Sequence, residues 1–209
     1  IIAKKNFKLN DERLTIERNR FLNEDLIMRT EALNQNYNPL FVPEWIDDGD
    51  SYFNKLAEKY DVAPLAPQPN KKLYYCNEGY GLIRYLSDRY GFRNEDSAWE
   101  NEVDILLIGD SFVHGACVWE NQTISKNISL EKNIINLGSA SNNPMIYSAL
   151  SKIFIPKTKP KKAILFFFAN DNNASSEKSI FYQKYFKNNE LYFNPNEKDI
   201  NRLNNKYKN

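Results

Sequence analysis

Ser111 is the residue best placed in this chain for nucleophilic chemistry. It follows the apolar run at residues 105–108, separated from it only by Gly109 and Asp110. An apolar run that stops at small and polar residues is typical of a buried strand in an α/β sheet, and such sheets carry their sites at the carboxyl ends of strands. A serine nucleophile also needs a base and preorganised donors for the oxyanion. The competing interpretation is that Ser111 only caps a helix.

Two further polar clusters follow apolar runs. Residues 138–143 come after the run at 134–137, and residues 170–173 come after the run at 163–168. Since neighbouring parallel strands end at the same edge of a sheet, we expect the three clusters to form one site. The predicted oxyanion donors are the backbone N–H of Ser111, a backbone N–H of the 138–143 loop and the side-chain amide of Asn170.

Five residues are expected to line the substrate pocket around these donors: Asp110, His114, Gly138, Asn142 and Asp171. For Asp110 we favour a role in holding its loop by accepting backbone N–H bonds over acid–base work. His114 lies three residues after Ser111 and has three interpretations, as the base, as a pocket-lining residue or as a structural residue. Two cysteines and one distant histidine are too few ligands for zinc, so neither a metal nor a cofactor is expected.

The elements that must position these residues alternate. Helices are predicted near 123–130 and 144–154, between the three apolar strands, and a lysine-rich turn at 157–162 precedes the third strand. Strand, helix, strand, helix, strand predicts a doubly wound parallel sheet, and therefore an α/β fold. The predicted organisation is an amphipathic helix within residues 1–35, an irregular wrapping segment at 36–102 with a short helix near 51–59, and the α/β core at 103–209.

The three clusters resemble the SGNH/GDSL hydrolases. The residues that carry the resemblance are Gly109-Asp110-Ser111, the run 136–141 and Ala169-Asn170-Asp171. It implies a three-layer, flavodoxin-like fold and a serine esterase with Ser111 as nucleophile. The implied oxyanion hole is the N–H of Ser111, the N–H of Ser141 and the Asn170 amide. The chain departs from the family pattern at Ala169 and Ser141, because the family has glycine at both positions.

A narrower resemblance is to a bacterial SGNH subgroup, through residues 76–79, 85–94 and 109–118. Its members often carry an amino-terminal membrane anchor and have been connected with surface polysaccharides. The family's base is a histidine in a carboxy-terminal Asp-x-x-His block, whereas the only histidine here is His114. We therefore expect a partial core that stops before its last two strands and its base; the alternative is a complete but inactive protein.

Composition narrows the partners and the location. The chain has 28 basic and 27 acidic residues, which favours no nucleic-acid partner. It has no apolar run of about 20 residues, the length that spans a membrane. Its first residues, Ile1-Ile2-Ala3-Lys4-Lys5, are either the end of an upstream membrane anchor with a basic flank or an arbitrary boundary. An anchored, extracytoplasmic location is favoured. Cys76 and Cys117 are either buried free thiols or one disulfide.

The function expected from these observations is hydrolysis of an ester, such as an O-acyl group on a surface polysaccharide. One alternative is transfer of that acyl group as an O-acetyltransferase. A second alternative is an inactive carbohydrate-binding or scaffold domain, in which Tyr74, Tyr75, Tyr80, Tyr85 or the segment 181–186 would stack on sugars, although core packing explains these aromatics more simply. A nucleotide-binding domain is disfavoured because no glycine-rich phosphate loop is present.

Overall fold

The computed structural model describes residues 11–40, 65–128, 131–169 and 171, with side chains from residue 18 onward. The predicted short helix near 51–59 lies outside these residues. The described elements, in chain order, are α1 (Asp11–Asn34), β1 (Asn38–Pro39), β2 (Lys72–Tyr74), β3 (Arg84–Leu86), a 3-10 helix (Asp96–Glu100), β4 (Ile105–Ile108), α2 (Ser111–His114), a second 3-10 helix (Glu120–Gln122), α3 (Ile124–Ile128), β5 (Ile134–Asn136), α4 (Pro144–Thr158) and β6 (Lys162–Leu165).

The carboxy-terminal sheet confirms the predicted α/β class. Its three strands are parallel and lie in the order β5-β4-β6, with Leu106 opposite Ile135 on one side and Ala163 on the other. All four residues of β4 are buried because the strand is paired on both sides and covered on both faces. The chain leaves β4 in one direction to form β5, then returns across β4 to form β6.

Helices cover both faces of this sheet. Leu106 and Ile108 of β4 lie in a cluster with α4 residues such as Leu150. Ile105 and Leu107 point to the opposite face, where they pack with Val113 of α2 and with α3. This alternation follows from the twofold side-chain period of a strand. The outer strand β6 is less covered, since its last residue, Leu165, and Phe167 two residues further on are each more than half exposed.

Helix α4 begins and ends at residues whose types favour those positions. The Asn143 side chain accepts hydrogen bonds from the backbone N–H groups of Met145 and Ile146, and Pro144 occupies the first turn, where a missing N–H costs nothing. The helix continues to Thr158, four residues beyond its predicted end, and stops at Lys159 in a left-handed conformation. Its well-capped start fixes the direction in which the preceding 138–143 loop leaves the sheet.

The segment predicted to be irregular contains a small mixed sheet. β1 pairs with β2 in parallel, and β2 pairs with β3 antiparallel. Tyr74 and Tyr85 are buried in this sheet, which corrects the suggestion that they stack on sugars, whereas Tyr80 is exposed. Strands of two or three residues are too short to show the alternation by which a strand is predicted from sequence.

Helix α1 matches the predicted span but not the predicted packing. Ala32 is buried against Tyr74 and Leu82, whereas Leu22 and Leu26, two of the apolar residues whose helical spacing predicts an amphipathic helix, are at least half exposed. A 24-residue helix is about 36 Å long, but three-residue strands extend only about 10 Å. The small sheet can therefore cover only the carboxy-terminal part of α1. None of the described helices is long and apolar enough to cross a membrane.

Candidate active site

The turn after β4 presents Ser111 as the first residue of a helix. Asp110 caps α2, and its carboxylate accepts the backbone N–H of Phe112 at 3.0 Å. This contact confirms the loop-holding role predicted for Asp110, which is 2% exposed. Ser111 is half-buried, and its own N–H donates no hydrogen bond to any residue of the described ranges. The turn therefore fixes the serine while leaving that N–H available.

The second cluster lies directly against this turn. The Asn142 amide donates to the carbonyl oxygen of Gly109 at 3.0 Å, and the Ser139 N–H approaches the same oxygen at 3.4 Å. Gly138 lies so close to α2 that a Cβ on it would be 2.3 Å from the backbone nitrogen of His114. Asn142 is 4% exposed, so its side chain holds the loop in place and is not open to a ligand.

Ser141 adopts a backbone conformation that favours glycine. Its φ is +63°, in the left-handed region where a side chain is strained. Ser141 is also the position at which the resemblance to the SGNH/GDSL hydrolases predicts a glycine. No described residue accepts a hydrogen bond from the Ser141 N–H. The loop thus has the geometry of a glycine turn although serine occupies it.

Replacing Ser141 by glycine should stabilise the protein. The left-handed conformation costs a non-glycine residue about 1–2 kcal/mol, and glycine recovers this less about 0.5–1 kcal/mol of chain entropy. We expect the free energy of unfolding in urea to rise by about 0.5–1 kcal/mol. In the control, Ser148→Gly on the exposed face of α4, it should fall by a similar amount. A loss of stability in both variants would contradict the strain at Ser141.

The third cluster contributes Asp171, while Asn170 lies outside the described residues. The Asp171 carboxylate accepts the N–H of Phe168 at 2.7 Å, and its own N–H donates to the Phe168 carbonyl at 3.0 Å. Asp171 is 5% exposed, so its carboxylate holds this turn in the way that Asp110 holds the first. The position of the Asn170 amide stays a prediction.

Tyr147 of α4 contacts the 138–143 loop, a role that the sequence pattern does not indicate. Its hydroxyl donates to the Asn142 carbonyl at 3.4 Å, and the Asp171 carboxylate is close enough to affect its pKa. Burial, and after it the negative charges of Asp171 and Asp110, raises the pKa of Tyr147 above its usual range. The hydroxyl therefore stays protonated and donates to the second cluster. A tyrosine at an apolar position of α4 is the only sequence signal for it.

Phe112 and Phe168 form an aromatic pair across the edge of the sheet. Their ring centroids are 4.1 Å apart, and their planes differ by 16°. Phe112 follows Ser111, and Phe168 lies on the turn held by Asp171. The backbone N–H of each of these two residues donates to a buried carboxylate. The two loops that carry the rings are therefore held in place. We call this feature the Phe112–Phe168 pair.

His114 has the contacts of a structural residue. It is 1% exposed, and its Nε2 lies 2.9 Å from the Tyr85 hydroxyl. Burial, and after it the positive charge of Arg93, lowers the pKa of His114 to about 3. A histidine that is shielded from solvent and bonded to Tyr85 is not open to a ligand that arrives from solvent. Of the three interpretations, the geometry supports the structural one.

The low pKa of His114 predicts a measurable pH dependence. Between pH 6.5 and about 3 the unfolded chain binds a proton at this imidazole and the folded protein does not. The stability that His114 contributes is therefore complete above pH 6.5 and decreases as the pH falls, by up to about 1.4 kcal/mol per pH unit. Because the chain has one histidine, a single imidazole NMR signal reports it. That signal should not titrate between pH 8 and pH 5; a midpoint near 6.5 in the folded protein would contradict the assignment.

Arg93 and a disulfide hold the segment that follows α2. The buried Arg93 guanidinium donates to the carbonyl of Gly115 at 2.6 Å and pairs with Glu120 at 3.0 Å. Cys76 and Cys117 form a disulfide, which decides between the two alternatives left by the sequence. The amino-terminal segment is thereby bound both covalently and by hydrogen bonds to the segment that follows α2, the helix that begins at Ser111. The role of Arg93 depends on contacts distant in sequence, so no local pattern indicates it.

The described residues contain no group of three or more histidine, cysteine, aspartate or glutamate side chains arranged to hold a metal ion. Comparison of the chain with known protein families, with curated proteins and with solved structures finds no match. The candidate site is therefore defined by the loops at the carboxyl edge of the β5-β4-β6 sheet.

Proposed function

We propose that this chain forms the nucleophile-bearing part of a serine esterase of the SGNH type. The observation that carries the proposal is the meeting of two loops: Ser111 begins a helix after the central buried strand, and the 138–143 loop is held on the carbonyl of Gly109. This places two backbone N–H groups without described acceptors, those of Ser111 and Ser141, in loops that contact each other.

The topology of the sheet supports the same location. In the order β5-β4-β6, the first strand of the core along the chain lies in the middle, with the second strand on one side and the third on the other. That is the order in which a flavodoxin-like sheet begins, and ligands in such sheets bind outside the carboxyl ends of the first and third strands, where the order reverses. Ser111 follows β4 and Asp171 follows β6. A flavodoxin-like fold is accordingly part of the proposal.

The proposed chemistry is acyl transfer through Ser111. Its Oγ attacks the ester carbonyl carbon as a base accepts the hydroxyl proton, and the carbonyl electron pair moves onto oxygen. The N–H groups of Ser111 and Ser141 and the amide of Asn170 stabilise that oxyanion. The alcohol then leaves with a proton, and water releases the acid from the acyl-serine. A sugar hydroxyl in place of water would make the reaction an O-acetyl transfer. His114, bonded to Tyr85, is not assigned as the base.

The disulfide supports a location outside the cytoplasm. Disulfides form and persist in oxidising compartments, whereas cytoplasmic thiols are kept reduced. The Cys76–Cys117 bond therefore favours an extracytoplasmic location, where the esters available as substrates are those of the cell surface. An O-acylated surface polysaccharide is the substrate class that we propose.

The experiment that tests this function measures p-nitrophenyl acetate hydrolysis by the protein as its whole gene encodes it. Ser111→Ala should lower turnover by at least about 10³-fold, because loss of the nucleophile removes the covalent route. Ser97→Ala, on an exposed 3-10 helix, is the matched control and should keep full turnover. Turnover that survives in Ser111→Ala would contradict the proposal.

A further inference from the structure

The Phe112–Phe168 pair leaves an aromatic ring open to solvent at the candidate site. Phe112 is 55% exposed, although its ring is stacked on Phe168 at 4.1 Å. Stacking covers one face of the Phe112 ring, so the exposed fraction includes its other face. A single exposed aromatic residue needs no explanation, but an apolar surface bordered by polar groups marks a binding site more often than chance.

The pair spans the position where the sheet topology predicts a ligand. Phe112 follows β4 and Phe168 follows β6, so the two rings meet across the reversal in strand order. The Asp110 carboxylate accepts the backbone N–H of Phe112 at 3.0 Å, and the Asp171 carboxylate accepts that of Phe168 at 2.7 Å. An aromatic surface that is fixed before a ligand arrives costs little further ordering on binding.

We propose that the open face of the Phe112–Phe168 pair binds the pyranose ring that carries the ester, with the ring's C–H face against Phe112. This inference rests on the proposed function and names the substrate class at the same site. Because Ser111 is the adjacent residue, a sugar seated on Phe112 lies next to the nucleophile.

The shape of the surface favours a sugar over an acyl chain. A flexible chain on an open aromatic face gains contacts on one side only and loses rotamer freedom. A pyranose ring is already rigid, so it loses little on stacking. Its apolar C–H face matches the ring of Phe112, while its hydroxyl groups remain in water or reach polar groups such as the Ser111 and Ser141 hydroxyls. A flat, open and rigid platform therefore suits the alcohol side of the ester.

The test uses saturation-transfer NMR on the full-length protein carrying Ser111→Ala, so that the ester is not consumed. The two probes are methyl 6-O-acetyl-α-D-glucopyranoside and ethyl hexanoate. We expect saturation of the pyranose C–H protons, and we expect a further Phe112→Leu change to lower it roughly fivefold, since aromatic stacking is lost. Phe167→Leu is the matched control: Phe167 is exposed to a similar degree, but it is not part of the Phe112–Phe168 pair and should not alter the signal.

Two kinds of result would overturn the inference. The first is saturation of the hexanoate chain in place of the sugar, lost in Phe112→Leu. The second is sugar saturation that is absent or that Phe112→Leu leaves unchanged. Either result would leave the esterase proposal intact, because that proposal depends on the loss of p-nitrophenyl acetate turnover in Ser111→Ala. Conversely, the protein could bind the sugar through Phe112 and yet show no turnover that depends on Ser111. That result would contradict the esterase proposal and support sugar binding by the Phe112–Phe168 pair.

Discussion

Replacing both Cys76 and Cys117 by serine should lower the free energy of unfolding by about 4 kcal/mol. The disulfide joins residues 41 positions apart, and a crosslink of that span restricts the unfolded chain by about this amount in the chain-entropy description. The loss also reaches the site, because Cys117 lies three residues after α2. Without the bond, Arg93 and its hydrogen bond to Gly115 are among the contacts left to hold the amino-terminal segment against α2 and the residues that follow it.

Urea unfolding of the oxidised protein and of the double serine variant measures this effect. The wild-type protein, unfolded in the presence of a reductant, should match the variant, and the variant itself should not respond to reductant. Alkylation before reduction should find no thiol on the wild-type chain. Two alkylated cysteines at that stage, or equal stability of wild type and variant, would contradict the disulfide.

Gly138→Ala should lower the free energy of unfolding by about 3 kcal/mol, at the upper end of overpacking effects. A Cβ at this position would lie 2.3 Å from the backbone nitrogen of His114 and 2.6 Å from the backbone carbon of Val113. Since both are main-chain atoms of α2, no side-chain rotation relieves the contact, and the helix that begins at Ser111 must shift. Ester turnover should therefore fall with stability, because the helix that begins at Ser111 is displaced.

The matched control for this substitution is Gly79→Ala. A Cβ on Gly79 meets no atom within 4 Å, so only its positive φ of +96° opposes alanine. We expect a loss of about 1–2 kcal/mol there and no change in turnover. If Gly138→Ala proves no more destabilising than Gly79→Ala in urea unfolding, the 138–143 loop does not pack against α2 as described.

The central sheet and its first two loops could be predicted from the sequence because their signals are local. The apolar runs at 105–108 and 134–137 end at small or polar residues, and the Asn143-Pro144 pair marks the start of α4. Parallel strands end at one edge, which is sufficient to expect Gly109 and the 138–143 loop in contact. The hydrogen bond from Asn142 to Gly109 confirms this expectation.

The remaining parts depend on contacts that no local pattern records. The strands β1 to β3 are too short to show alternation, and their pairing joins residues as distant as Asn38 and Leu73. Tyr147 and Arg93 serve the site through partners distant along the chain or in another loop. The apolar residues of α1 predict a buried face. How much of that face is covered depends on the length of the sheet that packs against the helix, which the sequence of α1 does not record. The disulfide likewise follows from proximity, which two cysteine positions alone do not give.

Ser111 is the residue that we propose becomes acylated. Reaction of the full-length protein with an alkyl fluorophosphonate tests this assignment without a substrate, because an activated serine oxygen displaces fluoride and keeps the phosphonyl group. Intact mass and peptide mapping should find one adduct, on the peptide that contains Ser111, and none in Ser111→Ala. An adduct on any other residue, or an unmodified protein that still hydrolyses p-nitrophenyl acetate, would contradict the account.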